Sequence, residues 1–295
     1  MRIGLCLLLV AVCASSLCAQ GVAEDYRRER ERARFAKPHG FSFSGDIFAK
    51  GLYFDQQQKV RADGIPGDTV SYTDFDGVPF NVFPEIDLRA RFTWWDSIEL
   101  GYSFAILRAF DRFSEDTGFN GTVFPEDVDG DYGADFHDMH FLYRRDLFYV
   151  GGASECALFF EVGVEWAIIN TKLDSDDVPA LQKRGTERFR ELLPWLVAGV
   201  GFEWQMGDHF NFRLDGFGGY VNPMPTLQKR DDKWVKQSIT SITGRALFEW
   251  RPVPFFAVLF GAQYRYMRVR LVAGFRQDNF LWWSVGPELG VGFRF

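Results

Sequence analysis

The stretch Leu281 to Phe295 reads LWWSVGPELGVGFRF. Trp283, Val285, Pro287, Leu289, Val291, Phe293 and Phe295 share one parity. Ser284, Gly286, Glu288, Gly290, Gly292 and Arg294 share the other. Successive side chains of a strand point to opposite faces, so this segment predicts a long strand with one greasy face and one polar or sterically small face. Pro287 donates no ladder hydrogen bond, so a local bulge is expected there.

The same alternation recurs upstream. Phe41–Phe54 carries Phe41, Phe43, Ile47 and Tyr53 against Ser42, Ser44, Asp46 and Lys50. Val82–Trp94 sets Val82, Pro84, Ile86, Leu88, Ala90, Phe92 and Trp94 against Glu85, Asp87, Arg89 and Arg91. Further strands are expected at Ile98–Phe110, about 136–148, Cys156–Ile169, Trp195–Met206, Phe210–Val221, Thr240–Arg251 and Phe255–Met267. The segment near 136–148 is the weakest, with Met139, Phe141 and Tyr143 taken as outward. The count is ten with the terminal strand, or eight if the weak segment and a neighbour fail. Short links near 95–97, 207–209 and 252–254, and a somewhat longer one near 144–154, alternate with long links near 55–81, 111–135, 170–193, 222–238 and 268–280. An even number of two-faced antiparallel strands with this loop rhythm predicts an all-β fold, a closed transmembrane β-barrel spanning 40–295. The last strand is similar to the closing strand of bacterial outer-membrane barrels, which typically ends in an aromatic residue. That resemblance implies contact with the barrel-assembly machinery through the strand ending at Phe295, and outer-membrane lipid around the wall.

The N-terminal residues agree with export. Met1-Arg2, the apolar run Ile3–Val12 and small residues to Ala19 predict a secretory signal peptide over 1–19. Residues 20–39 include EDYRRERERARFAK, a charged periplasmic segment. Three of the four cysteines fall in the signal. Cys156 is then alone, on an apolar parity, where it serves as a small hydrophobe. A net charge of −7 argues against nucleic acid as a partner, and 17% aromatic residues suits girdles at two membrane interfaces.

The inward parity carries both signs of charge. The acids are Asp46, Glu85, Asp87, Glu99, Glu161, Glu165, Glu203, Asp215, Glu249 and Glu288. The bases are Lys50, Arg89, Arg91, Arg213, Arg245, Arg251, Arg265 and Arg294. Near balance in a narrow space predicts mutual pairing, a salt-bridged plug. Its alternative is a narrow porin-like channel for small polar solutes.

Two further constellations lie in the second long link. Asp127, Asp129, Asp131, Asp135 and Asp138 match positions 1, 3, 5, 9 and 12 of a calcium loop, so calcium is the cofactor to test. Tyr132 stands where such loops need glycine, and Asp138 where they carry glutamate. Topology along most of the chain, with FTWWDSIELGYSF at 92–104 and LLPWLVAGVGF at 192–202, resembles the omptins, outer-membrane endoproteases. The resemblance implies a water activated between an Asp pair and an Asp-x-His dyad across the rim. Asp129 and Asp131 match the pair. The fourth outer link, 222–237, holds Asp231 and Asp232 but no histidine, and the Asp-x-His at 135–137, with His137, sits beside the pair. His39 precedes the first strand, His140 is mid-strand and His209 lies in a short turn, and each is read as incidental.

The expected function is therefore non-enzymatic: an outer-membrane barrel whose long extracellular loops meet a surface ligand. The channel and the omptin-like protease are the alternatives. Loop three, 170–192, is expected to hold a short helix from about 185 to 193.

Overall fold

The computed structural model describes residues 41–61, 67–75, 77–93, 95–150, 154–179, 187–207, 209–230, 233–274 and 276–295. The expected signal peptide, the charged segment and His39 lie outside them. The strands are β1 (Ser42–Arg61), β2 (Thr69–Ser71), β3 (Phe80–Arg91), β4 (Asp96–Arg112), β5 (Thr117–Phe119), β6 (Thr122–Phe124), β7 (Asp129–Val150), β8 (Ser154–Asp174), β9 (Glu187–Glu191), β10 (Trp195–Met206), β11 (Phe210–Arg230), β12 (Lys233–Val253), β13 (Phe256–Ala273) and β14 (Arg276–Arg294). A 3-10 turn occupies Tyr72–Phe75.

Ten of these close a ring in the order β1-β3-β4-β7-β8-β10-β11-β12-β13-β14, and β14 pairs back to β1. Every pairing is antiparallel. Following paired residues once round runs from Phe43 to Ala90, Ile98, Tyr143, Val162, Ala198, Gly218, Ile242, Tyr266, Trp283 and then Asp55. The path returns to β1 twelve positions further on. That stagger tilts the strands by about 40° from the axis, as closure requires.

The predicted sorting holds around the ring. Ile47, Leu100, Val162, Val200, Ile242 and Leu289 are exposed on the outer wall, whereas Lys50, Glu99, Glu161, Arg245 and Glu288 are buried inside. Aromatics crowd both ends of the belt. Phe43, Trp204, Phe210, Trp250 and Phe293 lie near the short turns; Tyr53, Tyr102, Tyr220 and Tyr264 lie toward the long loops. An apolar, edgeless wall with its polar groups turned inward is a transmembrane barrel, the architecture of outer-membrane proteins.

Most strands outrun a bilayer, which needs about 9–11 residues of a tilted strand. β7 has 22 residues and β8 has 21. Three expectations change. Residues 129–135, read as loop, form the upper part of β7. The helix expected near 185–193 is instead strand β9, paired to β8 from Ile168↔Glu191 to Lys172↔Glu187. β10 begins at Trp195 opposite Glu165, so β8 above that point has an open edge, and β9 supplies its backbone partners. Pro287 causes no bulge: the β13–β14 register is unbroken, and β1–β14 lacks pairs only at Gly51 and Leu52, without a shift. Register shifts occur instead in β11 around Pro223 and Pro225, in β7 after Asp146 and in β12 after Trp250.

The short turns are compact. Gly207 takes φ +70°, a left-handed conformation that glycine adopts without strain. Between β3 and β4, the Thr93 hydroxyl accepts the amides of Trp95 (3.1 Å) and Asp96 (2.9 Å) and donates to the Asp96 carboxylate at 2.7 Å. Thr93→Ala should lower stability by about 1 kcal/mol, read as a shift of the urea midpoint of the refolded barrel.

Candidate functional site

The interior is stacked in layers, and the alternation of each strand decides which residues reach it. Nearest the short turns is a cavity of about 300 Å³, lined by Asp46, Arg89, Arg91, Glu203, Asn211, Glu249, Arg251 and Arg294 among others. Arg294 holds Asp46 and Glu249, and Arg251 holds Glu249 at 2.8 Å.

Above it lies a lattice of ion pairs. Arg245 reaches Asp87 at 2.7 Å, Glu288 at 2.8 Å and Glu85 at 3.4 Å, with its guanidinium 4.2 Å from the Phe48 ring centre. Arg213 meets Glu99 and Glu161, each at 3.0 Å, and also Asp215. Lys50 pairs with Glu85 and donates to Gln263. Arg265 forks onto Asp138 and reaches Glu165, whose other oxygen accepts from Ser241 at 2.8 Å. Arg89 pairs with Glu99. The expected inward acids and bases thus pair with one another in adjoining clusters. Sequence reasoning missed four members from β7: Asp138, His140, Arg144 and Asp146. Arg144 lies 2.8 Å from Asp146 and also pairs with Glu203. Their signal was available, since they share the parity opposite Met139, Phe141 and Tyr143. Gly101 makes room for His140: a Cβ there would meet the imidazole Cε1 at 2.0 Å.

The lattice is roofed by rings. Trp282 stacks between Phe54 (5.3 Å) and Phe136 (4.9 Å), with Phe83 at 5.8 Å. Above them Gln56 and Gln58 bond the Tyr132 hydroxyl, and Arg190 forks onto Asp278 at 2.8 Å from both Nε and Nη2 while reaching Thr171 at 2.8 Å. Arg190 and Asp278 were also missed, because one was assigned to a helix and the other to a loop. The 3-10 turn and the β5–β6 hairpin fold over the top. Phe75 contacts Phe113 (5.4 Å) and Tyr132 (5.6 Å), and Phe113 stacks on Phe124 (5.0 Å); all are buried. Tyr72 joins this cap, and burial pushes its phenol pKa up.

The other candidates are not gathered. Asp129, Asp131, Asp135 and His137 share the outer parity of β7, outside the lumen. Arg112 holds Asp129 at 2.8 Å, Arg108 holds Asp135 at 2.8 Å, and the Tyr102 hydroxyl meets His137 Nδ1 at 2.9 Å. Asp131 and His137 are six residues apart on one strand, about 20 Å. Asp138 points the opposite way, to Arg265. Asp127 lies before the strand, at φ 65°, with its amide bonded to Phe113 O at 2.9 Å. The loop premise of the calcium set fails because alternation splits it between two faces. Among the described residues no group of three or more His, Cys, Asp or Glu could hold a metal ion.

No protein-family model matches this chain, and no curated protein matches it. Among solved structures, the outer membrane protease OmpT from Escherichia coli is 8% identical with a TM-score of 0.46, covering 87% of this chain and 98% of that one. OprG from Pseudomonas aeruginosa is 12% identical with a TM-score of 0.35, covering 88% and 99%. Ail of Yersinia pestis, in complex with the heparin analogue sucrose octasulfate, is 14% identical with a TM-score of 0.27, covering 86% and 99%. Their activities are properties of those proteins. The chain described here is a ten-stranded barrel of the outer-membrane type.

Proposed function

We propose that this protein is a non-conducting outer-membrane barrel, a rigid mount whose long-loop end meets a ligand outside the cell. The observation that carries the reading is the filled interior: an interlocked ion lattice, an aromatic layer above it and a folded cap above that. Barrels of this class keep short turns in the periplasm, which puts the cap and the strand extensions outside. Strands that continue beyond the bilayer hold that outer surface on a stiff wall rather than on loose loops. Asp129 and Asp131 stand on the outer face of β7, about 20 Å or more from His137 and outside the lumen, which favours a binding role over proteolysis.

Refolded full-length protein in a planar bilayer should be electrically silent. Discrete, reproducible current steps from demonstrably folded protein would overturn the reading in favour of a channel. Removing the β5–β6 hairpin should abolish surface binding while the barrel still folds.

A further inference from the structure

The outer wall is electrically lopsided above its upper aromatic girdle. On the β4–β7–β8 side each outward base has an acid: Arg108 with Asp135, Arg112 with Asp129, and Lys172 with Asp174 at 3.1 Å. On the β12–β13–β14–β1 side, Lys59, Arg61, Lys236, Arg268 and Arg270 are all exposed, and among the described residues none of the five makes an ion pair. Among the described residues Asp55 is the one outward acid nearby, and it is bonded by Gln57 and Ser71.

Register gathers these cations. Arg270 is opposite Asn279, which is opposite Lys59; Val272, opposite Lys236, is opposite Gln277, which is opposite Arg61. Arg270 and Lys59 are therefore two strand spacings apart, about 10 Å, with an amide side chain between them. Arg268 is two residues beyond Tyr266, which pairs with Trp283, and Trp283 packs on Tyr53 at 5.7 Å. The patch therefore begins one side-chain step above the girdle and faces sideways, not upward.

We propose that this face binds phosphate-bearing lipid headgroups of the surrounding leaflet. Among the described residues these five exposed cations make no ion pair, and an anionic partner would supply the missing charge. Their sideways aim beside an aromatic girdle puts them at headgroup height. Lys and Arg spaced for several contacts, with amide donors interleaved, suit clustered phosphate oxygens. The proposal goes beyond the binding role of the long-loop end and depends only on the wall's place in a bilayer.

The test uses the refolded full chain in nanodiscs of phosphatidylcholine doped with phosphatidic acid or, separately, with phosphatidylglycerol. Lipid that co-purifies after a mild detergent wash is quantified. Phosphatidic acid should be retained over phosphatidylglycerol. Retention should fall at least about tenfold in Lys59→Gln/Arg268→Gln/Arg270→Gln, and stay unchanged in Arg108→Gln/Lys172→Gln on the opposite wall. Equal retention by the triple variant and the parent overturns the proposal. So does equal retention of the two anionic lipids, which marks diffuse charge. Displacement by inorganic phosphate at matched concentration marks a free-anion site and also overturns it. If the triple variant does not fold, Arg270→Gln alone should show a smaller loss in the same direction, and its absence counts against the site.

Discussion

Arg245→Met should cost the folded barrel about 3–5 kcal/mol. Methionine keeps much of the volume, so the loss is electrostatic. Asp87, Glu288 and Glu85 all turn toward the one guanidinium, and all three are buried. Removing it leaves Asp87 and Glu288 without a compensating charge in a space that water enters poorly, while Glu85 keeps Lys50, and a buried unpaired charge costs more than the pair contributed. The triple variant Arg245→Met/Asp87→Asn/Glu288→Gln should recover more than half of the loss, because it removes charges on both sides. Urea unfolding of refolded protein, followed by tryptophan fluorescence and gel mobility, measures both. A single-variant loss below about 1 kcal/mol would mean that water, not Arg245, compensates these acids.

Trp282→Ala should cost about 3–5 kcal/mol by a different route. The indole sits between Phe54 and Phe136 and against Phe83, and is only 3% exposed. Alanine forfeits the transfer energy of the ring and leaves a void that strand-borne neighbours cannot close, since their backbones are fixed in the wall. The lattice beneath stays intact, so the variant should remain silent in a bilayer although less stable. Current from Trp282→Ala alone would show that the aromatic layer, and not the lattice, is the barrier.

Much of the wall was legible in the sequence for a physical reason. Between the girdles, lipid touches one face and the packed interior the other, so every second residue is constrained. Trp195–Met206 falls on the predicted bounds, and all ten ring strands were anticipated. Above the girdle the outer face meets water or headgroups, and the alternation fades. That is why Asp129–Asp135 and the tops of β8, β11 and β12 read as loop. The inward charges were legible as a set, but their partners were not. Asp138 meets Arg265, 127 residues away in the chain, only because the ring closes with a twelve-residue stagger. The calcium reading of the same Asp138 came from treating a two-faced strand as a loop, in which all side chains could converge.

A cylinder held only by hydrogen bonds in its wall can flatten into an oval without breaking any of them. Here Arg245 on β12 grips β3, Arg265 on β13 grips β7 and β8, and Arg213 on β11 grips β4. These ties span the bore like the spokes of a wheel. Lateral pressure from the bilayer therefore loads the spokes before it can change the cross-section, and the rim they brace keeps its outline as the membrane around it thickens, thins or bends.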